Sequence, residues 1–152
     1  VIAYIRELIF TQNILGETME TSVPWSKINK VKTEAHNLLN ELHKKHNLPG
    51  KPFFTSRISK IYHTGVCMYN TIAMCYDGVE NPEDVFTKIE YSMRENFIKN
   101  GGSISHHHGV GKLRKDFMKE TISDGSVSLI QGIKKDQDPK NIFGVNNNIV
   151  NN

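Results

Sequence analysis

Apolar residues recur along this chain at helical spacing, then at strand spacing, in alternation. Ile2, Ile5 and Ile9 repeat every three to four positions, with Leu8 beside them and Arg6 off the stripe, which predicts an amphipathic helix from residue 1 to about residue 12. ILGETMETSVP, with Thr and Val between polar neighbours, predicts a strand running to Pro24. From Trp25 to about His46, Ile28, Val31, Ala35, Leu38 and Leu42 mark one face of a long helix, and lysines and histidines fill the other. NLPGKP ends it. SRISKIYH and GVCMYNTIAMCY are rich in β-branched and aromatic residues and are joined at Thr64-Gly65, the pattern of paired strands. Asn81-Pro82 opens a helix with a cap residue and a first-turn proline, Val85, Ile89, Met93 and Phe97 form its apolar stripe, and Gly101-Gly102 closes it. SIS then predicts a short strand, followed by a basic helix, a break at Ser123-Asp124-Gly125, another short helix and a polar tail. The order from Ile14 onward, β-α-β-β-α-β, predicts an α+β fold: a ferredoxin-like split βαβ sandwich, its antiparallel sheet carrying helices on one face, plus a C-terminal helical segment.

The other sheet face must meet something else. In the long strand, Val66, Met68, Ile72 and Met74 point one way and suit packing under helices, while Cys67, Tyr69, Thr71, Ala73 and Cys75 point the other. That second row is small side chains around one phenol. Pattern alone leaves two readings for Tyr69, a residue packed on a neighbouring domain with its hydroxyl satisfied or a functional group in a space left for a ligand.

Composition narrows the partners. A chain of 152 residues is one domain by size, and a net charge of +3, from 19 basic and 16 acidic side chains, lacks the concentrated basic surface of a nucleic-acid binder. Cys67 and Cys75, eight apart on one strand, are too distant for a disulfide and are expected to be buried free thiols in a reducing compartment. No apolar run approaches the roughly 20 residues of a membrane span. The first residue is Val1, already inside a helical pattern, so the chain is expected to be a piece of something longer.

SISHHHGVGKLRKDF carries the candidate chemistry. Adjacent histidines project in different directions, and the sequence shows no further ligands at metal spacing, so no metal is expected. A phosphate loop of the Walker type needs glycine where His106 stands and a hydroxyl where Leu113 stands. Structural histidines serving loop backbone groups, or imidazoles acting as general bases at a cleft mouth, both stay open. Lys112, Arg114 and Lys115 are expected on a solvated helix face, each with little effect alone.

GGSISHHHGVGKLRK, together with AYIRELIFTQNILGETMETSVPW and DPKNIFG, closely resembles the C-terminal part of the alkyldihydroxyacetonephosphate synthase family, within the vanillyl-alcohol-oxidase type of FAD enzymes. The resemblance implies that residues 1–152 are a C-terminal substrate or cap domain, with FAD held mainly by a flavin-binding domain outside this chain. It implies exchange of the acyl chain of acyl-dihydroxyacetone phosphate for a fatty alcohol, without net redox, in peroxisomes, although no targeting signal stands at either end. Tyr69 matches the family's catalytic tyrosine, His106, His107 and His108 its histidine run, and Arg6 its substrate-binding arginine. Val145, Asn146, Asn147, Asn148 and Ile149 fall where the family has an ending that supports activity. A homodimer and peripheral membrane contact are compatible with the resemblance. The competing readings are the cap domain of an FAD-dependent 2-hydroxyacid or aryl-alcohol oxidoreductase, and a non-catalytic ferredoxin-like interaction module.

Overall fold

The computed structural model describes residues 2–145 and 147, with side chains described from residue 7 onward. Helix α1 (Ile2–Thr11) leads into strand β1 (Ile14–Pro24), a 3₁₀ turn (Trp25–Lys27) and helix α2 (Ile28–Lys45). Strands β2 (Phe53–Ile61) and β3 (Gly65–Cys75) follow, then α3 (Pro82–Lys99), a 3₁₀ segment (Lys115–Glu120) and α4 (Asp124–Gln137). The sheet is antiparallel with order β1-β3-β2. The α+β fold with helices on one sheet face is therefore present.

Alternation along β3 builds the core as the pattern requires. Val66, Met68, Ile72 and Met74 are buried with Met19 and Val23 of β1, against Val31, Ala35 and Leu39 of α2 and Ile89, Met93 and Phe97 of α3. Each such side chain contributes about 1.5–3 kcal/mol of burial. The α2 stripe is centred differently from the sequence expectation: Leu39 is fully buried, Leu38 and Leu42 lie at its margin, and His43 is buried rather than solvated. The line Val31, Ala35, Leu39, His43 is a strict i, i+4 row, and its first three residues join the core shared with α3 and the sheet.

Two ends differ from their sequence signals. Asn81 caps α3 from the left-handed region (φ +51°) without a side-chain cap bond, and its carbonyl instead accepts from Asp84 and Val85 N–H. The expected basic helix after the histidines is a 3₁₀ segment of 6 residues, and Ser123, expected in a break, is the N-cap of α4, accepting from Ser126 N–H at 3.2 Å. At the end of α3, Gly101 (φ +87°) donates to the Ile98 carbonyl and Gly102 to that of Phe97, both at 2.8 Å. This paired cap stops the helix and turns the chain toward the β1 edge.

Gly65 begins β3 where the chains are closest. A Cβ there would drive into the Val23 carbonyl, so Gly65→Ala is expected to cost about 1–3 kcal/mol or more, read as a lower urea midpoint. An unchanged midpoint would mean that the β1–β3 spacing at this pair is looser than the structure places it.

Candidate functional site

Three residues stand abreast on the sheet face that the helices leave open: Glu20 of β1 and Arg57 of β2 both pair in register with Tyr69 of β3. Their neighbours Met68 and Asn70 point into the core, so strand alternation aims Tyr69 the other way. Tyr69 is half-buried and Arg57 exposed.

The histidine run reaches this face around the β1 edge. Ser103 N–H donates to the Ser22 carbonyl at 3.0 Å, Ser22 N–H donates to the Ser103 hydroxyl at 2.9 Å, and the Thr21 hydroxyl donates to the Ser103 carbonyl at 2.8 Å. The strand expected over SIS is absent. The Ser103 hydroxyl takes the β1 donor that a ladder would use and itself donates to the Ser105 carbonyl at 3.0 Å, so side-chain bonds displace strand pairing.

Glu20 then holds the loop. The residue is 1% exposed, and Oε1 accepts from the backbone N–H groups of His106, His107 and His108 at 2.9, 2.9 and 2.7 Å and from the Ser105 hydroxyl at 2.8 Å. Successive N–H groups converging on one anion form a nest. Burial pushes the Glu20 carboxyl up, but the three N–H donors and the hydroxyl outweigh it and hold the pKa at about 2. The group is thus a carboxylate across the neutral range. Oε2 finds no hydrogen-bond partner among the described residues and lies 3.6 Å from His108 Nδ1.

With its backbone pinned, the run lays its rings on Tyr69. His107 stacks nearly parallel to the phenol at 5.9 Å between centroids, and His108 meets it edge-on at 5.7 Å. The Arg57 guanidinium sits 4.8 Å from the centre of the same ring, a cation–π contact. Tyr62, between β2 and β3, places its hydroxyl 2.6 Å from His106 Nε2, while His106 Nδ1 lies 2.9 Å from His107 Nδ1. Cys67, two residues before Tyr69 on the same face, is fully buried behind them. Its Sγ and one nitrogen from each of His106 and His107 lie within 4.8 Å of one another.

Tyr69, His106, His107 and His108 are therefore assembled in one place. Arg6 lies in α1, and its side chain is outside the described residues. Of the C-terminal segment, Val145 is exposed and Asn147 N–H donates to the Gly144 carbonyl at 2.9 Å, whereas Asn146, Asn148 and Ile149 are outside the described residues. Asn147 Oδ1 lies 3.7 Å from where a Cβ on Gly111 would stand, so this segment reaches the glycine turn that follows the histidines. Arg114 departs from the solvated face expected for the basic stretch. It is 7% exposed and donates to the Gly109 carbonyl at 3.1 Å, with burial and nearby Arg94 lowering its pKa. It braces the turn from beneath because Phe117 and Met118, buried with Ile104 in a small second core, draw this segment inward.

Sequence reasoning missed Glu20, Arg57, Tyr62 and Cys67 as members of the site. A carboxylate inside a strand is a weak signal, since Glu is depleted there, but nothing in the pattern says that it faces a loop 86 residues away.

The fold and this loop define a known class: the chain belongs to the family of FAD linked oxidases, C-terminal domain, which matches residues 1–146. Its relatives include the alkyldihydroxyacetonephosphate synthase of Caenorhabditis elegans, 37% identical over 142 residues, 93% of this chain and 24% of the relative. The synthase of the same name from Dictyostelium discoideum is 30% identical over 141 residues, 91% and 22% of the two chains. An uncharacterised FAD-linked oxidoreductase of Escherichia coli K12 is 30% identical over 147 residues, 91% and 28%. A solved alkyldihydroxyacetonephosphate synthase shares the fold, with a TM-score of 0.63 at 21% identity over 93% of this chain and 22% of that one. The chain spans about a quarter of the length of these relatives.

Proposed function

We propose that this chain is the C-terminal substrate domain of an FAD-dependent enzyme of ether-lipid synthesis. The reaction exchanges the acyl chain of acyl-dihydroxyacetone phosphate for a fatty alcohol, yielding the alkyl ether and a free fatty acid. The observation that carries this reading is the placement of His107 and His108 against Tyr69 on an open sheet face, at the positions matching the family's motifs. The names of the relatives support it. The same reading places the protein in peroxisomes.

Each residue then has a task its chemistry suits. His107 and His108 stand exposed beside the phenol and take the carbon-bound proton next to the substrate ketone. The Tyr69 hydroxyl passes a proton between the leaving carboxylate and the entering alcohol. Arg57 presents a permanent cation beside Tyr69 and, with Arg6, holds the substrate phosphate. Glu20 keeps His107 and His108 at the phenol by fixing the backbone of the whole run.

FAD, when bound, supplies a ring that can donate and accept electrons beside the substrate carbon. The described residues fit one wall of such a site: Tyr69, His107 and His108 line an open face with Arg57 at its edge, and a Cβ at Gly109 would meet nothing within 4 Å. On this reading FAD is held mainly by a separate domain, as the resemblance to the family implies, and this chain supplies that wall. Residues 1–152 purified alone are expected to be colourless; a yellow, stoichiometric flavoprotein from this stretch would overturn that division.

The test of function is the intact enzyme given acyl-dihydroxyacetone phosphate and labelled fatty alcohol. Labelled ether without consumption of an electron acceptor supports the reading. Acceptor reduction by a hydroxy acid or aryl alcohol, with no ether formed, would replace it with the oxidoreductase function.

A further inference from the structure

We propose that Cys67, His106 and His107 form a three-ligand site for a borderline-soft divalent cation of the zinc class. The fold supplies what the sequence conceals: a thiol from β3 behind two imidazoles from a loop nearly 40 residues later. Their three ligand atoms lie within 4.8 Å of one another. Tetrahedral zinc holds such atoms about 3.3–3.8 Å apart, given bonds of about 2.0–2.3 Å, so modest side-chain rotations close the site. One of the three separations is already short: His106 Nδ1 and His107 Nδ1 share a 2.9 Å hydrogen-bond contact, which a cation between them replaces by opening the pair by a few tenths of an ångström.

The surroundings are those of a prepared ligand set. The Tyr62 hydroxyl engages His106 Nε2 at 2.6 Å, which leaves Nδ1, turned toward His107 Nδ1, as the ligand atom, the outer-shell arrangement that orients metal-binding histidines. Glu20 fixes the backbone N–H of both histidines, so the two rings are held close before a cation arrives. Cys67 is 0% exposed, and its sulfur is presented toward the histidine side. One thiolate and two imidazoles select zinc, cobalt or copper over magnesium and calcium, which take oxygen ligands. Three protein ligands leave a fourth position for water. A cation here occupies a ring nitrogen of His107 and so excludes its use in the proton transfer assigned above, leaving His108 unliganded. The binding itself does not depend on the reaction assigned above.

Cobalt(II), added anaerobically to the intact protein carrying no polyhistidine tag, tests the site. Equimolar uptake with tetrahedral ligand-field bands and a thiolate-to-cobalt charge-transfer band is expected. Cys67→Ser should abolish the charge-transfer band and weaken binding by more than about tenfold, given that outer-shell changes alone cost roughly 10–100-fold. His107→Ala, at an exposed position where folding is not at stake, should do the same to affinity, while His108→Ala should leave the spectrum unchanged. An octahedral spectrum that Cys67→Ser does not alter would mean adventitious binding by exposed imidazoles and would overturn the proposal. Equal losses from His107→Ala and His108→Ala would do so too.

Discussion

Tyr69→Phe is expected to lower ether formation by about a hundredfold or more while leaving the fold and the ring contacts in place. Phenylalanine keeps the surface on which His107 stacks and His108 abuts, so the substitution deletes one hydroxyl and little packing. A positioned proton carrier is worth roughly 10²–10⁴ in rate, which sets the scale. The two proton tasks also separate by measurement. Tyr69→Phe should still exchange the carbon-bound hydrogen of the substrate with solvent, whereas His107→Ala or His108→Ala should block that earlier step. A folded, FAD-loaded Tyr69→Phe enzyme making ether at the normal rate would leave the phenol as a packing residue and confine the chemistry to the histidines.

Glu20→Ala should have the second largest effect, and it should act through the histidine loop. The substitution strands three buried-side N–H donors and the Ser105 hydroxyl. Bonds to a charged acceptor contribute about 1.5–3 kcal/mol each, but a freed loop rehydrates, so a net loss of about 3 kcal/mol is expected in urea unfolding. Amide hydrogen exchange at His106, His107 and His108 should accelerate sharply, with β3 still protected. Glu20→Gln, which keeps shape and one acceptor oxygen without the charge, should fall between. Because the folded carboxyl titrates at about 2 against an ordinary 4.5, its contribution is fully present above about pH 4.5 and is lost as pH falls through about 2. Unchanged loop exchange in Glu20→Ala would show that Arg114 and the serine bonds at the β1 edge hold the run without the nest.

Much of the molecule was legible in the periodicities. The β3 alternation separated Val66, Met68, Ile72 and Met74 from the row containing Tyr69 because a strand has a period of two whatever surrounds it. The long helices were legible for the same kind of reason, although the buried row of α2 lay one position away from the expected centre, at Leu39. Boundaries governed by side-chain competition were not legible: Ser103 looks like a strand residue until its hydroxyl takes the backbone donor of Ser22. Nor was Arg114, whose burial follows from the small core around Phe117 rather than from its basic neighbours.

By itself, then, the sequence determined the candidate residues, Tyr69 and the histidine run, and the sheet face opposite the helices on which Tyr69 lies, since motif identity and strand parity are local properties of the chain. Tertiary structure alone decided what surrounds those candidates. Glu20 beneath the histidines, Arg57 and Tyr69 abreast, Tyr62 at His106 and Cys67 behind the run all follow from strand order and register. Those pairings join residues from about 10 to more than 80 positions apart, and the packing of α2 and α3 on one sheet face, which no local pattern encodes, forces the loop around the β1 edge onto the other.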